Sequence, residues 1–201
     1  AKLFKHPVIR RRLLYGEWVD MPSGDAIFKD MFLRETHVKG DAIAGVGLIP
    51  IVGYPIILGF DPGPKNFSIH LLQCVPTSGG NVWRVFDELN YVGKPTRVNV
   101  IAKQLKERYD AWCELSGCDF QLRSIFDEAT KDEETYGEFS AKKVVLACAE
   151  VGLEIFPKFM RASNNTVPAR VQMLIDLLTS VPTTMLVSAT CPHTIDMFEG
   201  L

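Results

Sequence analysis

With 201 residues, of which 47% are hydrophobic and 23% charged, the chain has the size and composition of one ordinary globular domain. Its net charge of −2 excludes a globally basic nucleic-acid-binding protein, so a DNA partner would need a local basic patch. No stretch approaches the roughly 20 apolar residues of a membrane-spanning helix. The five cysteines are irregularly spaced without a CxxC or zinc-finger pattern, which is typical of reduced thiols.

The first half of the chain predicts an arm followed by three strands. Residues 1–35 mix basic, aromatic and turn residues without a sustained period, and we interpret them as a linker or docking arm before a domain at residues 36–201. Residues 36–54 contain four glycines and predict irregular structure. The three strands are expected at residues 56–60, 66–75 and 82–89, with a hairpin turn at residues 77–81. Strands linked this closely form an antiparallel meander.

The second half alternates helices and strands. Three helices are predicted, each with a capping residue at its start: Thr96 to about residue 116, Ser140 to residue 151, and a helix from Thr166 with an apolar face. Strands are expected at residues 122–126, 153–156 and 185–187, and the acidic residues 130–138 predict a loop. Right-handed crossovers then make strands four and five run parallel to strand one.

Two aspartates directly follow strands that this order makes neighbours. Asp61 ends the first strand before a Pro-Gly turn, and Asp127 follows the fourth. If these strands lie side by side, the carboxylates meet at one edge of the sheet, where their repulsion raises each pKa unless a cation joins them. Hard oxygen ligands suit Mg²⁺ or Mn²⁺, and two such ions can hydrolyse a phosphodiester. The alternative is that either aspartate merely caps the next element.

Five segments, in order along the chain, resemble the C-terminal nuclease domain of the large subunit of tailed-phage terminases, the DNA-packaging motors. They are residues 11–19 (RRLLYGEWV) with Gly24 and Phe28, residues 58–63 (LGFDPG), residues 85–89 (VFDEL), residues 126–129 (FDEA), and residues 157–171 with Asn164 and Asn165. The resemblance implies a ribonuclease-H-like α/β fold: a mixed sheet, with an antiparallel three-strand meander extended by parallel strands, flanked by helices.

The resemblance also implies a function. It is that of a metal-dependent endonuclease that cuts concatemeric double-stranded DNA, with Mg²⁺ or Mn²⁺ in a two-metal site. The implied partners are DNA, a terminase ATPase domain in the same polypeptide, the portal and the small terminase subunit, in the host cytoplasm and without a membrane. No GxxxxGK[ST] motif occurs in the sequence, so ATP hydrolysis through that loop is not expected of this chain.

Matching positions assign the site residues. Asp61 and Asp127 would be the metal ligands, and Glu128 replaces Asp127 if the strand register shifts by one residue. Glu88 would ligate the metal or hold its ligands in place, and its alternative is a surface acid on an edge strand. The candidate DNA contacts, for which a turn or a solvated basic arm is the alternative, are Lys65, Asn66, Arg10, Arg11 and Arg12.

The chain departs from the family pattern at the third acid, which the family carries on a late helix. No matching Asp-rich motif occurs here. Asp196 is one candidate for the third ligand, and the other expectation is a ligand beyond residue 201, with the domain truncated at its C-terminus. The missing acid keeps open a non-catalytic module that docks on DNA or the portal. A cellular junction-resolving nuclease is a further alternative. So is half of an actin-like ATPase or sugar kinase, which would need a second Gly-rich loop.

Overall fold

The structure, a computed structural model, describes residues 28–62, 67–91, 96–160 and 167–200. There the chain forms a seven-stranded mixed sheet in the order β1-β7-β4-β3-β2-β5-β6. The strands are β1 (Val38–Lys39), β2 (Ile56–Asp61), β3 (Ser68–Thr77), β4 (Gly80–Asn90), β5 (Leu122–Asp127), β6 (Pro157–Met160) and β7 (Met185–Ser188). The helices are α1 (Arg34–His37), α2 (Val98–Ser116), α3 (Glu133–Tyr136), α4 (Ala141–Glu150), α5 (Val167–Thr179) and α6 (Pro192–Glu199).

The pairing of the strands confirms the predicted fold class. β2, β3 and β4 form the antiparallel meander, and β5 lies beside β2 and runs parallel to it. β6 extends the sheet in parallel beyond β5, while β7 extends it in parallel beyond β4. The β3–β4 turn consists of residues 78 and 79 alone, because Thr77 and Gly80 already pair.

The fifth strand was predicted four residues too early. Residues 153–156 are not a strand; β6 begins at Pro157, which pairs with Ser124. Leu153 and Ile155 are buried in the core, and this burial produces their alternating pattern without strand pairing. A proline at the first residue of an edge strand loses no ladder hydrogen bond, which explains why pairing starts there.

Three further local predictions were wrong. The segment expected as a loop contains the short helix α3 between two 3₁₀ turns, because the side chain of Asp132 accepts a hydrogen bond from Glu134 N at 3.0 Å and caps the turn. Arg97, and not Thr96, precedes α2, without a side-chain cap. Ser140 does precede α4, but its buried hydroxyl has no hydrogen-bond partner in the described part of the chain. Thr166 lies outside the described residues.

Two elements upstream of β2 also differ from the expectation. Val38 and Lys39 form a short strand that pairs with β7 inside the region predicted to be irregular. Phe28 and Phe32 come from the predicted arm, yet their rings contact Phe198 with centroids 5.5 Å and 5.0 Å apart. The boundary at residue 35 stays a prediction, but these two rings belong to the domain's packing.

The main hydrophobic core lies between one face of the sheet and helices α2 and α4. Phe60 of β2 and Phe126 of β5 are paired in register and stack in parallel, with ring centroids 4.4 Å apart and an angle of 2° between the rings. They are 5% and 0% exposed. Since successive strand residues point to opposite faces, burying these rings directs Asp61 and Asp127 to the other face.

A second core covers part of that other face. Val85 and Val187 pack there with Leu178 of α5 and with Ile195 and Phe198 of α6. The bulge in β4 places Val85 opposite Leu72 and leaves Phe86 as the extra residue. The second core therefore covers the β4–β7 side of this face.

None of the helices within the described residues is long and apolar enough to cross a membrane.

We expect Phe126→Ala to lower the free energy of unfolding by about 3–5 kcal/mol, because it removes a fully buried ring and leaves a cavity. Chemical denaturation measures the loss. Phe156→Ala is the matched control, since Phe156 is 77% exposed and its removal should change stability by less than about 0.5 kcal/mol. Equal losses from the two variants would contradict the packing described here.

Candidate active site

Asp61 and Asp127 lie at the ends of two adjacent parallel strands, on the same face of the sheet. Phe60 pairs with Phe126, so the next residue of each strand is the aspartate. The pKa of Asp61 is raised first by burial and then by the charge of Asp127, as expected of two neighbouring carboxylates. The sequence-based pairing of these two aspartates agrees with this register. Glu128 follows β5 in a 3₁₀ turn, where it forms an ion pair with Lys131.

Asp127 also caps the turn that follows it. Its Oδ1 accepts a hydrogen bond from Ala129 N at 2.9 Å, and its Oδ2 lies 4.0 Å from Nη1 of Arg170 on α5. The capping role considered from the sequence is therefore real, and it fixes the direction of the carboxylate. Arg170 brings a guanidinium to the same site and lowers the pKa of Asp61.

Asp61 is the carboxylate whose environment opposes its charge. Burial raises its pKa above the ordinary aspartate value, and Asp127 raises it further, while His70 and Arg170 lower it. A positive ion at the carboxylates would relieve this cost. The local electrostatics thus favour a bound cation or a shared proton.

The donor set fits a metal ion that is shared with a substrate. Mg²⁺ is commonly held by one or two carboxylates, with waters and substrate phosphates completing its coordination. Among the described residues, no group of three or more His, Cys, Asp or Glu side chains is placed to hold a metal ion. Asp61 and Asp127 therefore fit a divalent cation bound together with phosphate, and not a closed protein cage.

Glu88 is buried and anchors a helix. It is 8% exposed, because β7 pairs with β4 and removes β4 from the edge of the sheet, so the edge-strand alternative was wrong. One carboxylate oxygen accepts a hydrogen bond from His193 N at 2.8 Å. The other accepts from Thr194 N at 2.9 Å and from the Thr194 hydroxyl at 2.6 Å. These bonds satisfy the N-terminus of α6, whose dipole favours a negative charge. A role at the metal stays a prediction.

The remaining predicted site residues are not brought to the acid pair by described contacts. Asp196 lies on α6, where it acts on Arg34: the hydrogen bond to Glu199 raises the pKa of Arg34 most, and the charge of Asp196 adds to this. It is not among the charges that shift the pKa of Asp61. Its role as third ligand stays a prediction. The five proposed DNA contacts at residues 10–12, 65 and 66 lie outside the described residues.

His70 and Arg170 are site residues that the sequence reasoning missed. His70 on β3 pairs with Gly59 on one side and Glu88 on the other. Burial lowers its pKa, while the charges of Glu88 and Asp61 raise it. The alternation in β3 could have found His70, because it points away from the face of Ile69 and Leu71. No local signal marks Arg170, since α5 approaches β5 only in the folded chain.

Comparisons with known proteins agree with this fold. The chain is similar to the P22 large terminase nuclease domain, with a TM-score of 0.60 and 12% sequence identity, over 87% of this chain and 78% of that one. At this identity the likeness establishes the fold, and it confirms the ribonuclease-H-like architecture predicted above. No protein-family model matches the chain, and no curated protein matches its sequence.

Two weaker likenesses were also found. The HK97 bacteriophage large terminase matches with a TM-score of 0.47 and 12% identity, over 78% of this chain and 33% of that one. Thermus thermophilus RuvC matches with a TM-score of 0.39 and 12% identity, over 65% of this chain and 81% of that one.

We expect Asp61→Asn to raise the melting temperature at neutral pH in the presence of EDTA. A raised pKa means that the folded state favours protonated Asp61, so ionisation of Asp61 costs stability as the pH rises through its folded-state pKa. The gain from Asn should therefore be largest at pH 7 and shrink towards pH 4, near the ordinary aspartate pKa of about 4. A melting-temperature series from pH 4 to 8 measures it, and a gain that grows on acidification would contradict the assignment.

Glu88→Ala should destabilise the domain by about 1.5–3 kcal/mol, because it leaves the α6 N–H groups of His193 and Thr194 without their charged acceptor. Glu88→Gln retains one acceptor oxygen and should lose less. Glu154→Gln, at an exposed position, is the control. Chemical denaturation measures the free energy of unfolding of the three variants. A Glu88→Ala variant with the wild-type free energy of unfolding would refute the anchoring role.

Proposed function

We propose that the chain is the metal-dependent DNA endonuclease domain of a viral genome-packaging terminase, cutting concatemeric double-stranded DNA by two-metal phosphodiester hydrolysis. The observation that carries the proposal is the pair Asp61 and Asp127 at adjacent parallel strand ends, within the fold of a terminase nuclease domain. In this proposal its partners are a terminase ATPase domain in the same polypeptide, the portal and the small terminase subunit. DNA cleavage takes place in the host cytoplasm.

Asp61 and Asp127 would hold Mg²⁺ or Mn²⁺. When bound, such ions supply a Lewis acid for the phosphodiester and lower the pKa of a water so that it can attack phosphorus. The two carboxylates provide the negative charge that attracts the ions, and partial burial, which raises the pKa of Asp61, adds to the cost that a bound ion would relieve. The cap from Asp127 to Ala129 N limits the rotation of the second carboxylate.

Arg170 and His70 would support the same step. The guanidinium of Arg170 lies 4.0 Å from Asp127 and can donate hydrogen bonds to a non-bridging phosphate oxygen brought to the carboxylates. Burial lowers the pKa of His70 and so favours its neutral form, which would compete less with a cation for the negative charge of the acid pair. Neither role requires movement of a strand.

A second candidate function is a DNA-docking module that has the nuclease fold but does not cut. The observation in its favour is that the described residues contain no metal-binding group of three or more side chains. Two carboxylates alone bind a cation weakly. The two candidates differ in whether a divalent ion converts DNA binding into strand cleavage.

Nicking of supercoiled plasmid in Mn²⁺ or Mg²⁺ tests the proposal. We expect metal-dependent conversion to open circles, lost on addition of EDTA. Asp61→Asn and Asp127→Asn should each slow nicking by more than about 100-fold, since even residues that only support metal ligands cost 10–100-fold. Asp30→Asn makes the same chemical change at an exposed position in the turn before α1 and should nick normally.

Nicking that survives in Asp61→Asn, or that needs no divalent ion, would overturn the active site proposed here. A chain that binds DNA but never nicks it at any metal concentration would favour the docking module. Calorimetric titration with Mn²⁺ adds a readout independent of activity, and it should detect binding to the wild type and none to the double variant Asp61→Asn/Asp127→Asn.

A further inference from the structure

The face of the sheet that carries the acid pair continues into an open groove. Beside β2, the strands β5 and β6 form a cavity of about 260 Å³. Its lining includes Arg123, Ser124 and Ile125 of β5, together with Phe156 and Lys158 around the start of β6. Alternation along β5 places Arg123 and Ile125 on the same face as Asp127. The groove and the candidate active site therefore form one continuous surface.

Two cations stand in this groove without a counter-ion. Arg123 and Lys158 are exposed, and neither has an ion-pair partner among the described residues. Lys158 pairs with Ile125, two residues before Asp127, and Arg123 lies two residues further back. At about 3.3 Å per residue, Arg123 is roughly 13 Å along the strand from Asp127. That distance corresponds to the axial rise of about four nucleotides in one strand of B-form DNA.

Phe156 adds an apolar surface beside these charges. It is 77% exposed and shares the cavity with Arg123 and Lys158. The backbone beneath it is fixed, because the hydroxyl of Ser124 donates a hydrogen bond to the Phe156 carbonyl oxygen at 2.5 Å. An exposed aromatic ring among basic residues is an arrangement by which proteins hold nucleic-acid strands, with phosphates at the cations and a sugar or base on the ring.

Gly59 lies between the groove and the acids, and because it has no side chain, nothing projects from the sheet at this position. It lies on the same face as Asp61 and pairs with Ile125 of β5. A Cβ added there would have the carbonyl oxygen of His70 as its nearest neighbour, at an ordinary 3.9 Å. Packing in the described part of the chain therefore does not require a glycine, although glycine weakens a strand. A glycine in such a position is typical of close approach by a ligand.

We propose that this groove binds the DNA strand on one side of the scissile phosphate, with Lys158 and Arg123 at two of its phosphates and Phe156 against the apolar face of a nucleotide. The inference rests on the proposed nuclease function and adds the path of its substrate. Charge complementarity selects the occupant: the groove offers two unpaired cations beside an aromatic ring, and DNA offers regularly spaced anions.

Equilibrium binding to a fluorescein-labelled 20-base-pair duplex in EDTA tests the path without cleavage. The variant Lys158→Ala/Arg123→Ala should bind at least 10-fold more weakly at low salt. The slope of log K against log salt concentration should fall in magnitude by about 1 for each cation removed. Lys103→Ala/Lys143→Ala is the matched control. These exposed lysines lie on α2 and α4, which cover the opposite face of the sheet, and their removal should leave affinity and slope nearly unchanged.

Two uncharged substitutions separate contact from charge. Phe156→Ala should weaken binding several-fold without changing the salt slope, because it removes no ion contact. A loss confined to single-stranded DNA would identify an unpaired base on the ring, and a loss shared with duplex DNA would identify a sugar. Gly59→Ala should keep the wild-type melting temperature and bind DNA more weakly, since its methyl group projects towards the strand.

If Lys158→Ala/Arg123→Ala binds duplex DNA with the wild-type affinity and salt slope, the inference is overturned. This is also the result expected if the groove receives an acidic protein segment instead of DNA. The result is separable from the nuclease proposal. Metal-dependent nicking that Asp61→Asn abolishes would keep the nuclease function even if the groove plays no part. A reduced salt slope in a chain that never nicks would keep the DNA path and reject the nuclease.

Discussion

The stacked pair Phe60 and Phe126 is the contact on which the candidate site depends. Each ring is the residue before an aspartate, and both are buried under α2 and α4. A slip of one residue between β2 and β5 would turn a ring to the solvent and an aspartate into the core, so burial fixes the register. The hydrophobic effect that stabilises the sheet thereby also forces two carboxylates together. The electrostatic cost at Asp61 is a consequence of good packing elsewhere.

The two cores make separate contributions to the site. The main core supplies the strands that carry both acids, whereas the second core holds α5 and α6 against β4 and β7. α5 brings Arg170 to Asp127, and α6 is fastened by Glu88. Glu88 on β4 pairs with His70 on β3, and the charges of both Glu88 and Asp61 on β2 act on His70, so polar side chains interact across the sheet from β4 to β2.

The sequence predicted the parts of this arrangement that local pattern determines. Apolar runs and alternation predict the meander, and a right-handed crossover predicts β5 parallel to β2. Together they place Asp61 and Asp127 at adjacent strand ends, as the register confirms. Prediction failed where tertiary contacts decide. Leu153 and Ile155 alternate like a strand but are buried without pairing, and Pro157 starts β6 instead. The burial of Glu88 depends on β7, which pairs with β4 from a hundred residues further along the chain. Arg170 is likewise invisible until α5 is placed.

Net charge does not predict whether this protein binds DNA, because alternation along the strands and their register determine which charged side chains share a face of the sheet. At −2 overall, the chain should not attract DNA at long range, and an acid pair should repel it. Yet the same alternation that exposes Asp127 also exposes Arg123 on β5, and the parallel pairing of β6 adds Lys158 beside them. These cations act on phosphates at short range, within a Debye length of about 8 Å at physiological salt, where the net charge of the whole chain does not decide the interaction. The proposed binding of a polyanion around two carboxylates requires this local segregation of charge, and a β-sheet produces it by period two alone.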